Sequence, residues 1–160
     1  MRKLILGLAL LLLFFAPSTG SQTTFGGIHL LEGYSVKRGS AIDAAVWTIE
    51  GKGGLKIHFE AGNTEGLVVD LGGKDKYEWV REQTVCGHRV LVALTKVGIK
   101  SEYDLETERN LPPGSIVMVS FPLGGSKSHA ANFVARIANS QEMGDVLLMV
   151  LTFDPSKSSF

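Results

Sequence analysis

The sequence predicts a mainly β fold, an antiparallel β-sandwich or open barrel of about eight strands with one C-terminal α-helix. Three observations predict it. Apolar side chains recur at every second position through most of the chain. Glycine pairs at 26–27, 53–54, 72–73 and 124–125 interrupt that rhythm where the backbone can adopt positive φ, at unequal intervals that exclude an internal repeat. Helical spacing sets in only after residue 139. Of the two arrangements, two sheets packed as an aligned sandwich is the first expectation.

Taken in order, residues 1–20 read as a secretory signal peptide: Arg2 and Lys3 precede an unbroken apolar run from Leu4 to Phe15, and small residues follow. As a helix that run rises roughly 18 Å against a hydrocarbon core of about 30 Å, too short for a comfortable span. Ala16 and Ser18, or Ser18 and Gly20, supply the small side chains a signal peptidase requires, so cleavage is expected after Ser18 or Gly20. The leader has no cysteine, which excludes a lipid anchor at the cleavage point. Residues 21–155 read as a single β-rich domain and 156–160 as a disordered tail.

Within that domain Ala45, Trp47 and Ile49 face one way and Val46 and Thr48 the other. After Gly51-Lys52-Gly53-Gly54, Leu55, Ile57 and Phe59 alternate with Lys56, His58 and Glu60, which makes a β-hairpin with a one-sided apolar face. Leu67 to Leu71 is expected as a further strand. Tyr77 to Val85 and His88 to Val97 flank Cys86-Gly87, placed where a two-residue hairpin turn usually carries Asn-Gly. Pro112-Pro113-Gly114 closes off what precedes it, and Ser115 to Phe121 runs apolar through Ile116, Val117, Met118 and Val119 as an interior strand does. Ala130 to Ala138 alternates again, with Ala131, Phe133, Ala135 and Ile137 on one face.

Asn139 with Glu142 three residues on forms a capping box, and Met143, Val146, Leu147, Val150 and Leu151 follow at helical spacing. Leu148, Met149 and Phe153 make the other side apolar too, so this helix is either buried between sheet and loop or offered to a partner. Asp154-Pro155 ends it.

Composition excludes several classes. The chain has 16 basic and 16 acidic residues; without Arg2 and Lys3 there are 14 basic against 16 acidic, a net charge of −2. That argues against nucleic acid as a partner, because binding it needs a basic face that displaces counterions from phosphates. No second apolar run reaches membrane-spanning length, so no membrane span is expected after cleavage. A domain of about 140 residues can bury roughly 68–70% of its unfolded surface, enough for a core without metal or disulfide staples. Cys86 is the only cysteine, so an internal disulfide is impossible.

Gly39-Ser40-Ala41-Ile42-Asp43, Gly54-Leu55-Lys56-Ile57-His58-Phe59, Ala131-Asn132-Phe133-Val134-Ala135-Arg136-Ile137 and the run Asp145 to Phe153 together resemble segments of uncharacterised exported bacterial proteins. The resemblance spans most of the mature chain and implies a bacterial origin. It implies nothing about chemistry.

No G-x-S-x-G elbow, H-E-x-x-H zinc helix, C-x-x-C pair or D-x-D-x-D calcium loop occurs, which lowers the expectation of an enzyme. Gly124-Gly125-Ser126-Lys127-Ser128 mimics a phosphate loop but lacks the glycine before lysine, and reads as a solvated turn. On a strand, Glu102, Asp104, Glu106 and Glu108 would line one face about 6.8 Å apart. Catalytic carboxylates of inverting glycosidases face each other across the bond to be cleaved, and calcium needs a glycine-bent loop, so this run reads as a charged, solvent-facing edge. His29, His58, His88 and His129 are scattered, so no metal or other cofactor is expected from spacing alone. Cys86, at a hairpin tip beside His88 and Arg89, is expected to be exposed, as a tolerated turn residue or a reactive thiol.

The candidate binding residues are Tyr77, Trp79 and Arg81, which share a strand face at period two, with His58 and Glu60 on the polar face of a candidate partner strand. An exposed aromatic and guanidinium stripe suits sugar or peptide; the competing reading buries Trp79 in the core with Glu78 and Glu82 toward water, and large aromatics favour cores. The expected function is that of an exported non-catalytic domain, periplasmic or extracellular, binding a protein or a cell-envelope polymer through the C-terminal helix or the aromatic strand face. The second reading is a small hydrolase or metal-dependent enzyme whose site assembles in three dimensions from His58, Glu60, His88 and Asp43.

Overall fold

The computed structural model describes residues 23–39, 44–63, 66–99, 114–124 and 129–158. The signal-peptide segment, Asp43, the run Glu102 to Glu108 and the turn residues 125–128 lie outside the described residues. Among the described residues the fold is mainly β, its strands paired antiparallel, with one α-helix near the C-terminus. Its strands are β1 (Thr23–Phe25), β2 (Ile28–Leu30), β3 (Ser35–Arg38), β4 (Ala44–Glu50), β5 (Lys56–Asn63), β6 (Tyr77–Val85), β7 (His88–Thr95), β8 (Ser115–Pro122) and β9 (His129–Ile137). Helix α1 spans Ser140–Val150. The strands divide seven and two: β1 pairs with β2, and the large sheet has the order β3-β4-β5-β9-β8-β7-β6. The β1–β2 hairpin and α1 together make the second layer over one face of that sheet, with α1 packed chiefly on β2, β8 and β9.

The alternation read from the sequence assigns the two faces. Trp47, Ile49, Ile57, Phe59, Val117, Val119, Phe121, Phe133 and Ala135 point into the core beneath the helix. One row of paired residues crosses all seven strands on this face: Arg38, Trp47, Phe59, Phe133, Val119, Val92 and Arg81. Its five inner members are apolar and an arginine closes it at either edge. Phe59 stacks on Phe133 at 4.4 Å between ring centroids, and Phe153 meets Phe121 edge-on at 4.9 Å. Such offset-stacked and edge-to-face contacts add about 0.5–1.5 kcal/mol each beyond area burial.

Phe153 does not lie on the helix, as the apolar run suggested. α1 stops at Val150, and a turn through Leu151 and Thr152 drops Phe153, fully buried, onto the aromatic cluster. The turn also fixes the β1–β2 hairpin: the His29 amide donates to Thr152 Oγ1 at 2.9 Å and the Asp154 amide to the Gly27 carbonyl at 3.1 Å. Gly27 needs its missing side chain, since at φ +84° a Cβ would run into the Asp154 carbonyl oxygen. At the other end of α1 the Glu142 amide donates to Asn139 Oδ1 at 3.0 Å and the Glu142 carboxylate accepts the Ala138 amide at 2.8 Å, the cap that the spacing predicts. Pro155–Lys157 then forms a single 3-10 turn capped by Asp154.

Leu67 to Leu71 is not a strand. The connection from β5 to β6 has to travel from mid-sheet to the far edge, and this segment crosses the opposite face of the sheet to do so. Its amides find side chains instead of a ladder: Val68 donates to Asn132 Oδ1 on β9, Val69 to Ser120 Oγ on β8 and Asp70 to the Tyr77 hydroxyl on β6. Apolar content matched a buried strand because Val69 is buried, but hydrogen bonding to three different strands, β9, β8 and β6, makes it a strap.

Candidate functional site

The site begins at the β6–β7 hairpin. Cys86 at φ 49° and Gly87 at φ 82° both take the left-handed conformation of a two-residue turn whose twist matches the strands. From Val85 opposite His88 the ladder runs in register to Trp79 opposite Leu94, and then shifts so that Tyr77 faces Thr95. The extra residue, Glu78, is a β-bulge. It breaks the face-sharing that period two predicts: Trp79 stays on the helix-covered face with Arg81, whereas Tyr77 turns to the opposite face, is buried, and accepts the Asp70 amide at 3.0 Å.

His58 and Glu60 are not on a partner strand of β6. β5 pairs with β4 and β9, and β9, β8 and β7 separate it from β6. Both side chains lie on the opposite face from Trp79 and Arg81. His58 is buried, and Glu60 accepts Asn132 Nδ2 at 2.9 Å. Asn132 also donates to the Gly66 carbonyl at 2.8 Å and accepts from the Val68 amide and from Ser120 Oγ, which fills the capacity of its amide. Among the described residues no buried side-chain nitrogen or oxygen lacks a partner. The polar cluster on this face therefore holds the 66–70 strap. His88 opens β7 beside the turn, with β9 and β8 between it and β5, so it does not join His58 and Glu60. Among the described residues no group of three or more His, Cys, Asp or Glu side chains is placed to hold a metal ion.

Trp79 and Arg81 do come together with the helix. α1 sits over β8 and β9 and leaves the β6 edge open, and a groove of about 280 Å³ lies there between Trp79, Arg81 and Gln83 on β6, the buried Val92 on β7, and Leu147 and Leu151 on the helix side. Trp79 is half-buried, so the core and stripe readings of the sequence each describe part of it: its body closes the row Leu94, Val117, Ala135 and its outer part lines the groove. The Arg81 guanidinium lies 5.7 Å from the centre of the Trp79 ring, within cation–π range, and is exposed. Among the described residues no carboxylate pairs with it. The neighbouring Glu82 points to the other face and is taken by Arg89 in a two-pronged pair at 2.7 Å. Those hydrogen bonds hold the Glu82 carboxyl below its usual range and raise Arg89.

The same pair bears on Cys86. Its thiol is exposed at the turn, but the Arg89 charge that the sequence sets beside it is committed to Glu82. Leu148, next to Leu147 in α1, is 64% exposed. Sequence reasoning missed Gln83 and Val92 as groove residues. Gln83 was findable by continuing the period from Trp79 and Arg81; Val92 was not, because its place depends on where the helix stops covering the sheet. No helix among the described residues is long and apolar enough to cross a membrane. No protein-family model, curated protein or solved structure matches the chain.

Proposed function

We propose that this protein is an exported, non-catalytic binding domain of the periplasm or cell surface that holds a macromolecular partner at the groove between β6 and α1. The observation that carries the reading is the meeting of two features that the sequence offered separately: the Trp79–Arg81 edge and the apolar side of the C-terminal helix, at Leu147 and Leu151, line one depression. At about 280 Å³ it falls just under the range of pockets that enclose a small molecule, and it suits a few side chains of a larger partner. Its tryptophan and arginine are residue types enriched at the centres of interfaces.

A photo-crosslinking side chain placed at Gln83 or Leu148, in the cells that make the protein, tests the reading. Adducts of defined mass from these two positions, and none from a probe at Lys56, are expected. Equal labelling from all three positions, or none, refutes a groove-borne partner. Export is tested by the N-terminus of the isolated protein, which should begin after Ser18 or Gly20; a chain retained in the cytoplasm with Met1 in place overturns it.

A further inference from the structure

We propose that the partner is an extended polypeptide segment that adds a strand to the outer edge of β6 and presents, on its groove side, a carboxylate flanked two residues either way by apolar side chains. The inference rests on the binding reading above and specifies its ligand. β6 is an edge strand: among the described residues it pairs only with β7, and from Trp79 to Val85 its register is regular. Its outward amides and carbonyls form a template for another chain.

Charge selects what can dock there. Edge strands are commonly protected by charged residues, and β6 carries Glu78, Arg81 and Glu82. Glu78 sits in the bulge and Glu82 is neutralised by Arg89, which leaves Arg81 as the charge without a carboxylate on the groove side. An incoming strand places one residue beside Arg81 and its next same-side residues about 6.8 Å away, beside Trp79 and Gln83. A carboxylate at the first position completes an ion pair with Arg81. Apolar groups at the other two meet the Trp79 ring and the Leu147–Leu151 wall.

A second copy of the chain is the competing occupant of this edge. A two-fold axis that keeps each face continuous must centre on a residue. Centred on Arg81 it sets that arginine against itself, where an acidic segment would complete an ion pair.

The test uses the purified full domain and blocked decapeptides with the core Leu-Thr-Glu-Thr-Leu in serine and glycine flanks. Titration is followed by fluorescence anisotropy and by amide shifts along β6. Binding of the glutamate peptide, with shifts confined to β6 and α1, is expected. Replacing the central glutamate by lysine should weaken it about tenfold or more, and Arg81→Glu in the protein should reverse that preference. Equal binding of the two peptides overturns the pairing with Arg81, and undiminished binding of a version N-methylated at alternate backbone positions overturns strand addition. So does a dimer in sedimentation that Arg81→Glu dissociates, which would assign the edge to a second copy. Defined adducts at Gln83 without peptide binding would sink this inference and leave the binding reading standing; loss of both would sink the two together.

Discussion

Replacing Phe153 by alanine removes the side chain that joins the C-terminal segment to the sheet. Phe153 is fully buried and meets Phe59 at 5.6 Å, Phe121 at 4.9 Å and Phe133 at 5.3 Å, each edge-on. Truncating a buried phenylalanine costs about 3–5 kcal/mol, the spread depending on how far the site collapses. Collapse is restricted here, because the neighbours are rings borne on three paired strands and the Asp154 amide is bonded to the Gly27 carbonyl. A loss in the upper half of that range is expected, against a total of about 5–15 kcal/mol for a domain. At about 4 °C per kcal/mol, the thermal midpoint should fall by about 15–20 °C. Thermal and urea unfolding followed by near-ultraviolet circular dichroism measures it, with Leu148→Ala as the exposed helix control, expected within about 0.5 kcal/mol of the parent. A Phe153→Ala loss under about 1 kcal/mol would show that the segment after α1 is not seated on the aromatic cluster, and the account of how helix and hairpin are held would fall with it.

Asn132→Ala strips the Val68 amide and the Gly66 carbonyl of their partner inside the strap; a loss of about 2–3 kcal/mol is expected, with hydrogen exchange at 66–70 rising well before the rest of the sheet, and uniform protection would contradict the strap. Cys86 occupies φ 49°, a conformation in which asparagine is favoured, so Cys86→Asn should raise stability by about 0.5–1 kcal/mol while Cys86→Ser leaves it nearly unchanged; chemical denaturation midpoints decide. Tyr34 donates its hydroxyl to Asp145 at 2.8 Å, and burial, then that hydrogen bond and the nearby acids, raise its ionisation above the usual range. With the folded value above the unfolded one, this stabilisation is complete below about pH 10 and is lost as pH rises past it. The melting-temperature gap between the parent and Tyr34→Phe should therefore be constant from pH 7 to 9 and shrink toward pH 11, and a gap that widens there would reverse the assignment.

Residues close in sequence settled the local elements. The alternation around Trp47 and Phe59 sorted both faces of β4 and β5 correctly, Cys86-Gly87 marked the hairpin turn, and Asn139 with Glu142 marked the start of α1. Each depends on backbone geometry within a few residues, where period and turn chemistry speak directly. The short strands β1 to β3 gave too little alternation to be noticed, since three or four residues hold at most two same-face side chains.

What only the tertiary structure decided is strand order and coverage. Nothing in the period of Tyr77, Trp79 and Arg81 announces the bulge at Glu78 that sends Tyr77 to the other face. Nor does anything near His58 and Glu60 say that three strands separate them from β6, because pairing of β5 with β9 joins residues about seventy positions apart. The groove follows from that order. A helix of 11 residues spans roughly 16 Å and covers part of a seven-stranded sheet, so which strand it leaves bare is set by where β9 delivers the chain to α1. Residue types offered Trp79, Arg81 and the leucines; long-range pairing put them side by side.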